Sequence, residues 1–219
     1  MSKTEEFISR EKDTYGKIYS SIAFAIDDIS GLLDKSTLNN RKYISRQSVL
    51  SKYMELLNSA NTEAKKNKGF FGSMFESNKY IDLLESYKAD HREDLDQLEN
   101  CCSCECLKCT AECKFDTCNR CEKSGRVAYC DHSRTNVVVF KNKTLDLLNN
   151  STGIDDSYTV LAIVQDSLKD KRYILLENLS DGERFILYYY PGIREDSYGE
   201  ITAEDDFNFA ADAYNLLEH

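Results

Sequence analysis

The first third of the chain carries apolar residues at the spacing of an amphipathic helix. One stripe, broken only by the polar Glu11, recurs at seven- and three-residue offsets and comprises Ile8, Tyr15, Ile18, Ile22, Ala25, Ile29 and Leu32. Because this spacing places the side chains on one helix face, the pattern predicts a first helix. Its heptad period also leaves open a homodimer formed through this N-terminal helix.

Two further stripes predict two more helices. The second stripe comprises Val49, Leu50, Tyr53, Leu56, Leu57, Ala60 and Ala64. The third helix is predicted over residues 78–100, with the buried candidates Ile81, Leu84, Tyr87, Leu95 and Leu98. Short connections favour antiparallel neighbours, so residues 1–100 are predicted to form an antiparallel helical bundle, or a helical hairpin with an added helix.

The period changes to that of strands in the last third of the chain. Strands are predicted over residues 137–140, 158–164, 172–176 and 184–190, and Ser180-Asp181-Gly182 supplies the turn between the last two. Thr202 is the expected N-cap of a final helix, with acidic residues in its first turn.

These patterns together predict an α+β protein. Its parts are a helical bundle at 1–100, a central Cys-rich module at 101–135 and a small antiparallel β-sheet with one closing helix at 136–216. Residues 217–219, Leu-Glu-His, are expected to be the remnant of a purification tag.

The segment of about 157–216 resembles the YrzB-like family of small acidic bacterial proteins. The resemblance lies in the hairpin Tyr173-Ile174-Leu175-Leu176 … Arg184-Phe185-Ile186-Leu187 and in the ending Gly199-Glu200-Ile201-Thr202 … Asp205-Asp206-Phe207 … Ala210-Ala211-Asp212-Ala213-Tyr214. It covers a little over a quarter of the chain. It implies a domain boundary and carries no chemistry with it.

All nine cysteines lie between positions 101 and 130, and His132 follows the last of them. Three Cys-x-x-Cys pairs occur, at 101/104, 106/109 and 118/121. Two cysteines three residues apart can direct both sulfurs at one ion, and a tetrahedral site needs two such contributions. The predicted sites are Cys118, Cys121, Cys130 and His132 for one zinc ion, and Cys104, Cys106, Cys109 and Cys113 for a second, with Cys101 or Cys102 as substitutes. Ligands interleaved between the two ions are the alternative partition.

Competing explanations of the cysteines are weaker. The odd number of cysteines and the polar, acidic start of the chain favour reduced thiols over disulfides and predict a cytoplasmic location. The spacing differs from the common ferredoxin runs, and a redox Cys-x-x-Cys would need a βαβ context. Because this segment has few apolar residues, metal coordination would supply its missing stability, and four protein ligands per ion indicate a structural role.

Two surfaces are candidates for partner binding. The apolar loop around Phe70 and Phe71 is one. The other is the basic stretch 35–68, centred on Arg41, Lys42 and Arg46, which favours nucleic acid. Residues 136–219 oppose nucleic-acid binding, because they carry 7 Lys/Arg against 16 Asp/Glu.

The sequence therefore predicts a non-enzymatic, cytoplasmic zinc protein with two structural zinc ions and a protein partner. It contains no Gly-rich phosphate loop, no His-Glu-x-x-His and no nucleophile elbow, and no apolar run reaches the length of a membrane span. The alternative is a regulatory, nucleic-acid-binding zinc protein that uses the basic stretch 35–68 and the basic residues of the zinc module, which are Lys108, Lys114, Arg120, Lys123 and Arg126. A metal-dependent or thiol redox enzyme is a third possibility, and its sign would be an accessible thiol of lowered pKa at Cys101 or Cys102.

Overall fold

The computed structural model describes residues 3–66, 74–112, 114–115, 125–149 and 153–217. It confirms the coarse α+β class, with helices followed by a seven-stranded antiparallel sheet. The chain divides into two compact units, Met1–Cys102 and Ser103–His219. The described part of the predicted 101–135 module thus falls mainly in the second unit, and the division into three domains stays a prediction.

The first unit is helical, with five helices among its described residues. They are α1 (Lys3–Ser30), α2 (Lys35–Asn39), α3 (Lys42–Lys66), α4 (Met74–Asp90) and α5 (Arg92–Cys102). Helix α3 packs against α1, α4 and α5, and one of the unit's cores joins Ile8, Tyr53, Leu57, Ala60 and Leu84. These contacts confirm that the second stripe is core.

The first stripe is buried inside this unit except at the half-buried Tyr15 and at its C-terminal end. Ile8, Ile18, Ile22, Ala25 and Ile29 are all buried. Leu32 is 70% exposed, contrary to the prediction, because α1 ends at Ser30. The heptad surface that could support a dimer is therefore already used for packing within the chain.

The prediction of one helix over 78–100 is wrong, because the chain turns at His91 between α4 and α5. The break lets both segments pack on α3. The short helix α2 has no periodic pattern and was missed. Its N-cap is Asp34, whose carboxylate accepts the N–H groups of Ser36 (2.9 Å) and Thr37 (3.0 Å).

The second unit holds the sheet and the last helix. The strands are β1 (Gly125–Cys130), β2 (Thr135–Phe140), β3 (Thr144–Asn149), β4 (Ile154–Asp166), β5 (Lys171–Asn178), β6 (Arg184–Tyr190) and β7 (Ser197–Glu200), and the helix is α6 (Glu204–Asn215). The order is β1-β2-β4-β5-β6-β7, and β3 pairs with β4. The four predicted strands and the closing helix are confirmed, and β1, β3 and β7 extend the sheet.

Strand β4 organises both faces of this sheet. One of its edges pairs with β3 along Ile154–Thr159 and with β2 along Ala162–Asp166. One face packs on α6 through a core that includes Ala162, Val164, Tyr173 and Ala210. The opposite face buries a second core: Val160, Ile163, Ile174, Leu176 and Tyr189.

The final helix begins without a side-chain cap. The N-cap residue is Ala203 rather than the predicted Thr202. Asp206, one of the acidic residues of the first turn, is buried at 1% exposure. Its carboxylate accepts from Lys169 Nζ at 2.6 Å, from Tyr188 Oη at 2.6 Å and from Lys171 Nζ. The helix start is therefore fixed by ion pairs from neighbouring strands and turns.

Candidate metal site

A tight turn between β1 and β2 fixes the position of two predicted ligands, Cys130 and His132. The Asp131 carboxylate accepts backbone N–H groups from Ser133 (2.9 Å), Arg134 (2.8 Å) and Thr135 (2.9 Å). Burial alone would raise the pKa of Asp131, but these N–H bonds outweigh it and lower the pKa to about 2. The turn is thus held closed by an ionised carboxylate.

The backbone of His132 has φ +61°, in the left-handed region that is uncommon for residues other than glycine. Such a conformation persists where surrounding contacts enforce it. Here the Asp131 carboxylate, which precedes His132, accepts the N–H groups of Ser133 and Thr135, which follow it. His132 N donates to Cys130 Sγ at 3.4 Å. The role of Asp131 was not predicted from the sequence, although Asp at the start of a short polar turn is a known turn former.

The loop that follows α5 is attached to β1. Glu105 N donates to Val127 O at 3.0 Å, and Arg126 Nη1 donates to Ser103 O at 3.1 Å. These bonds hold the loop that contains Cys104, Cys106 and Cys109 next to the hairpin that carries Cys130 and His132. Val127 is fully buried, so the attachment point belongs to the core of the unit.

The cysteines of this loop lie in two successive turns. Leu107 N donates to Cys104 O at 2.9 Å, and Cys109 N donates to Cys106 O at 3.4 Å. Cys106 and Leu107 are buried, while Cys104 and Cys109 are partly exposed. The second turn has the tight Cys-x-x-Cys form that suits a pair of metal ligands.

Cys109 and Cys130 both approach the imidazole of His132. The distance to His132 Nδ1 is 3.9 Å from Cys109 Sγ and 3.7 Å from Cys130 Sγ. Zn–S and Zn–N bonds of about 2.3 and 2.0 Å at a tetrahedral angle imply an S···N separation of about 3.5 Å. Both contacts are therefore within a few tenths of an ångström of a tetrahedral edge.

These contacts do not by themselves enclose an ion. In the part of the chain that the structure describes, no three His, Cys, Asp or Glu side chains converge as a metal-binding group. The predicted ligands Cys113, Cys118 and Cys121 lie outside the described residues. Cys109, which was predicted as a ligand of one ion, thus lies near His132, which was predicted as a ligand of the other. The partition of the ligands stays a prediction.

Cys101 and Cys102 belong to the first unit, at the end of α5. Cys101 is buried, and Gln97 Nε2 lies 3.7 Å from its sulfur. The thiol of Cys102 is directed at Ile18 O, 3.8 Å away, and burial raises its pKa. The thiol of lowered pKa that would indicate a redox enzyme is therefore not found at Cys102. The six described cysteines, Cys101, Cys102, Cys104, Cys106, Cys109 and Cys130, form no disulfide with one another.

The predicted basic surface is partly used for packing within the helical unit. Arg46 Nε lies 2.9 Å from Asp94 Oδ1, and Arg46 Nη1 donates to Lys42 O at 3.3 Å. Arg41 is buried at 9% exposure. Phe70 and Phe71 lie outside the described residues.

Three carboxylates are buried among the described residues, and each is ion-paired. Glu11 bonds Tyr53 and Lys88, Asp166 bonds Arg134, and Asp206 has the partners given above. Burial opposes ionisation of Asp166, but the bonds from Arg134 and nearby N–H groups lower its pKa. For Asp206, the bonds from Lys169, Lys171 and Tyr188 lower the pKa. A general base or acid needs a pKa near the working pH. The lowered pKa values of Asp166 and Asp206 therefore favour a structural role for both carboxylates.

Comparison with protein-family models, with curated proteins and with solved structures gives no match for this chain. The resemblance of residues 157–216 to the YrzB-like family stays a prediction. Among the helices that the structure describes, none has both the length and the apolar character needed to cross a membrane.

Proposed function

We propose that this chain is a non-enzymatic interaction protein whose second unit is stabilised by two structural zinc ions. The observation that carries the metal proposal is the approach of Cys109 and Cys130 to His132 Nδ1, at 3.9 and 3.7 Å. Cysteine sulfur and imidazole nitrogen are the donor types that zinc prefers.

The count of ligands supports two ions. Because Cys101 and Cys102 lie on α5 in the helical unit, seven of the nine cysteines remain for the second unit. Together with His132 they supply eight donors, which is the requirement of two four-coordinate sites. The eight are Cys104, Cys106, Cys109, Cys113, Cys118, Cys121, Cys130 and His132.

The small apolar content of the loop supports a structural role for the metal. Between the end of α5 and the start of β1, the buried residues that the structure describes are Cys106, Leu107 and Phe115. A segment with so little core gains its stability from coordination, as small zinc modules do.

Two observations support a non-enzymatic interaction role. The three buried carboxylates among the described residues are held in ion pairs, and the second unit carries a strong negative charge that can attract a basic partner. The nucleic-acid alternative has less support, because Arg46 pairs with Asp94 and Arg41 is buried. Residues 136–219 would also repel a phosphate backbone. A gel shift with DNA and RNA at low salt is expected to show no retardation.

Metal content of the purified protein tests the proposal directly. Two zinc ions per chain are expected by mass spectrometry of intact protein under native conditions and by elemental analysis. The variant Cys130→Ser is expected to retain one zinc ion, and the matched control Cys102→Ser two. Metal-free folded protein, or equal loss of zinc in both variants, would refute the zinc proposal.

A further inference from the structure

A cleft lies on the sheet face opposite α6, and none of its lining residues is a proposed metal ligand. It encloses about 510 Å³ and reaches from β3 across β4 and β5 to β6. That volume is typical of binding sites. Four strands spaced about 4.8 Å apart give the cleft a length of about 14 Å, which matches about four residues of extended chain.

The floor of the cleft is apolar. It is formed by Leu147 of β3, Tyr158 of β4, Leu176 of β5, and Phe185 and Leu187 of β6. Leu176 is buried, and Tyr158 and Phe185 meet edge to face with ring centroids 5.9 Å apart. The contact fixes both rings, so the floor offers a preformed surface for apolar side chains.

The rim of the cleft is acidic. Asp156 stands on β4, and Asp181 and Glu183 stand in the β5–β6 turn; among the described lining residues there is no Lys or Arg. Neither Asp181 nor Glu183 makes an ion pair with any residue that the structure describes. The adjacent cation, Arg184, is bound by Glu177 at 2.8 Å. The rim therefore presents carboxylates to an occupant.

The rim is also held in place by its own turn. Asp181 Oδ1 accepts Glu183 N–H at 2.8 Å, and Asn178 Oδ1 accepts from Ser180 N at 2.8 Å and from Ser180 Oγ at 2.7 Å. Gly182 takes φ +76°, which only glycine adopts readily. The two carboxylates are thus carried on a rigid turn above the apolar floor.

We propose that this cleft binds an extended segment of a partner protein in which apolar side chains alternate with Lys or Arg. Apolar residues would cover the floor, and their cationic neighbours would reach the carboxylates of the rim along aliphatic stems. The inference names the partner class for the interaction role proposed above and does not depend on the metal. Charge complementarity favours a basic segment over an acidic one.

The test uses the 219-residue protein as purified, with no metal added or removed, and a fluorescein-labelled heptapeptide, Arg-Leu-Lys-Phe-Lys-Leu-Arg. Fluorescence anisotropy at low salt is expected to show saturable binding. The double variant Asp181→Asn, Glu183→Gln is expected to weaken it at least tenfold, and Asn preserves an acceptor for Glu183 N–H. The matched control Glu195→Gln, Asp205→Asn removes the same charge at exposed sites away from the cleft and is expected to change affinity less than twofold.

Three further measurements test the cleft proposal. A peptide with Ser in place of Leu and Phe is expected to bind at least tenfold more weakly. Spermidine, a cation without apolar side chains, is expected not to displace the heptapeptide at equal concentration. In wild-type protein, the peptide is expected to slow hydrogen exchange in β4, in β5, in β6 and in the turn between the last two. No saturable binding, equal weakening by both double variants, unchanged affinity of the Ser peptide, displacement by spermidine, or unchanged exchange would each overturn the cleft proposal. The zinc content of the same samples, measured separately, decides the metal proposal.

Discussion

Each of the two units buries a carboxylate that is bound by one tyrosine and by one or two lysines. In the helical unit, Glu11 accepts Tyr53 Oη at 2.6 Å and lies 2.9 Å from Lys88 Nζ. In the second unit, Asp206 is bound in the same way by a tyrosine and two lysines. Each carboxylate joins elements distant in sequence, which satisfies the buried charge.

The units differ in how the rest of the structure is stabilised. The helical unit buries large side chains throughout, among them Tyr43, Leu50, Tyr53, Leu57 and Leu98. The second unit buries a core on each face of its sheet, whereas the described residues of the loop that precedes β1 bury only Cys106, Leu107 and Phe115. With the proposed zinc sites, apolar packing would stabilise the helical unit and metal ligation would stabilise the loop of the second unit.

Metal removal is expected to separate the two units most clearly. A chelator should destabilise the loop at 103–112 and the β1–β2 turn, at a cost on the order of 10 kcal/mol per site. Hydrogen exchange measured by mass spectrometry should accelerate there and remain unchanged in α1 and α3. Equal acceleration in both units would contradict the division.

Replacement of Glu11 tests its buried interactions with Tyr53 and Lys88 in the first unit. Glu11→Leu is expected to lower the free energy of unfolding by about 3 kcal/mol, because it leaves the buried Tyr53 hydroxyl unsatisfied and removes the partner of Lys88. Glu11→Gln keeps an acceptor and should cost about 1 kcal/mol. Urea unfolding followed by circular dichroism at 222 nm measures both. A Leu variant as stable as the Gln variant would show that the bonds of Glu11 with Tyr53 and Lys88 contribute little to the free energy of unfolding.

The corresponding variant in the second unit is expected to have a smaller effect. Asp206→Asn should cost about 2 kcal/mol, since Lys169 and Lys171 are about 40% exposed and can turn to water. The exposed neighbour Asp205 gives the matched control, Asp205→Asn, which should be nearly neutral.

The same variant has a pH signature. The pKa of Asp206 in the folded protein lies below the unfolded value of about 3.9. Its stabilisation is therefore complete above the unfolded pKa and is lost as the pH falls below about 4. The stability difference between wild type and Asp206→Asn should shrink on acidification from pH 6 to pH 3. A difference that stays constant would exclude a charged role.

The smallest expected effect is at the cap of α6. Because the N-cap is Ala203 and makes no side-chain bond, Ala203→Ser should raise stability by about 0.5–1 kcal/mol. Thr202→Ala should change it by less than about 0.5 kcal/mol. Thermal unfolding of the two variants side by side would show the opposite ranking if Thr202 were the cap.

Much of the fold is encoded in local pattern. Periodicity located α1, α3 and α6, and alternation with a Gly turn located the β5–β6 hairpin, because each depends on neighbouring residues. Strand β7 was missed: its four residues, Ser-Tyr-Gly-Glu, show no alternation and are strand only because they pair with β6. The break at His91 was missed because it serves packing on α3, which the local sequence does not specify.

The candidate site was predictable in its residue types and not in its arrangement. Cysteine spacing indicates metal, but spacing alone does not say which loop meets which strand. Cys109 approaches His132 because Glu105 bonds Val127, twenty-two residues away. The buried roles of Asp166 and Asp206 also depend on such long-range partners.

Arg134 connects the β1–β2 turn with the rest of its unit. Its guanidinium binds Asp166 at the end of β4, at 2.9 Å, and lies 4.5 Å from the ring centroid of Phe209 on α6. One side chain thereby couples the turn, the sheet and the terminal helix. The environment of Phe209 on α6 would therefore report a change in the conformation of the turn.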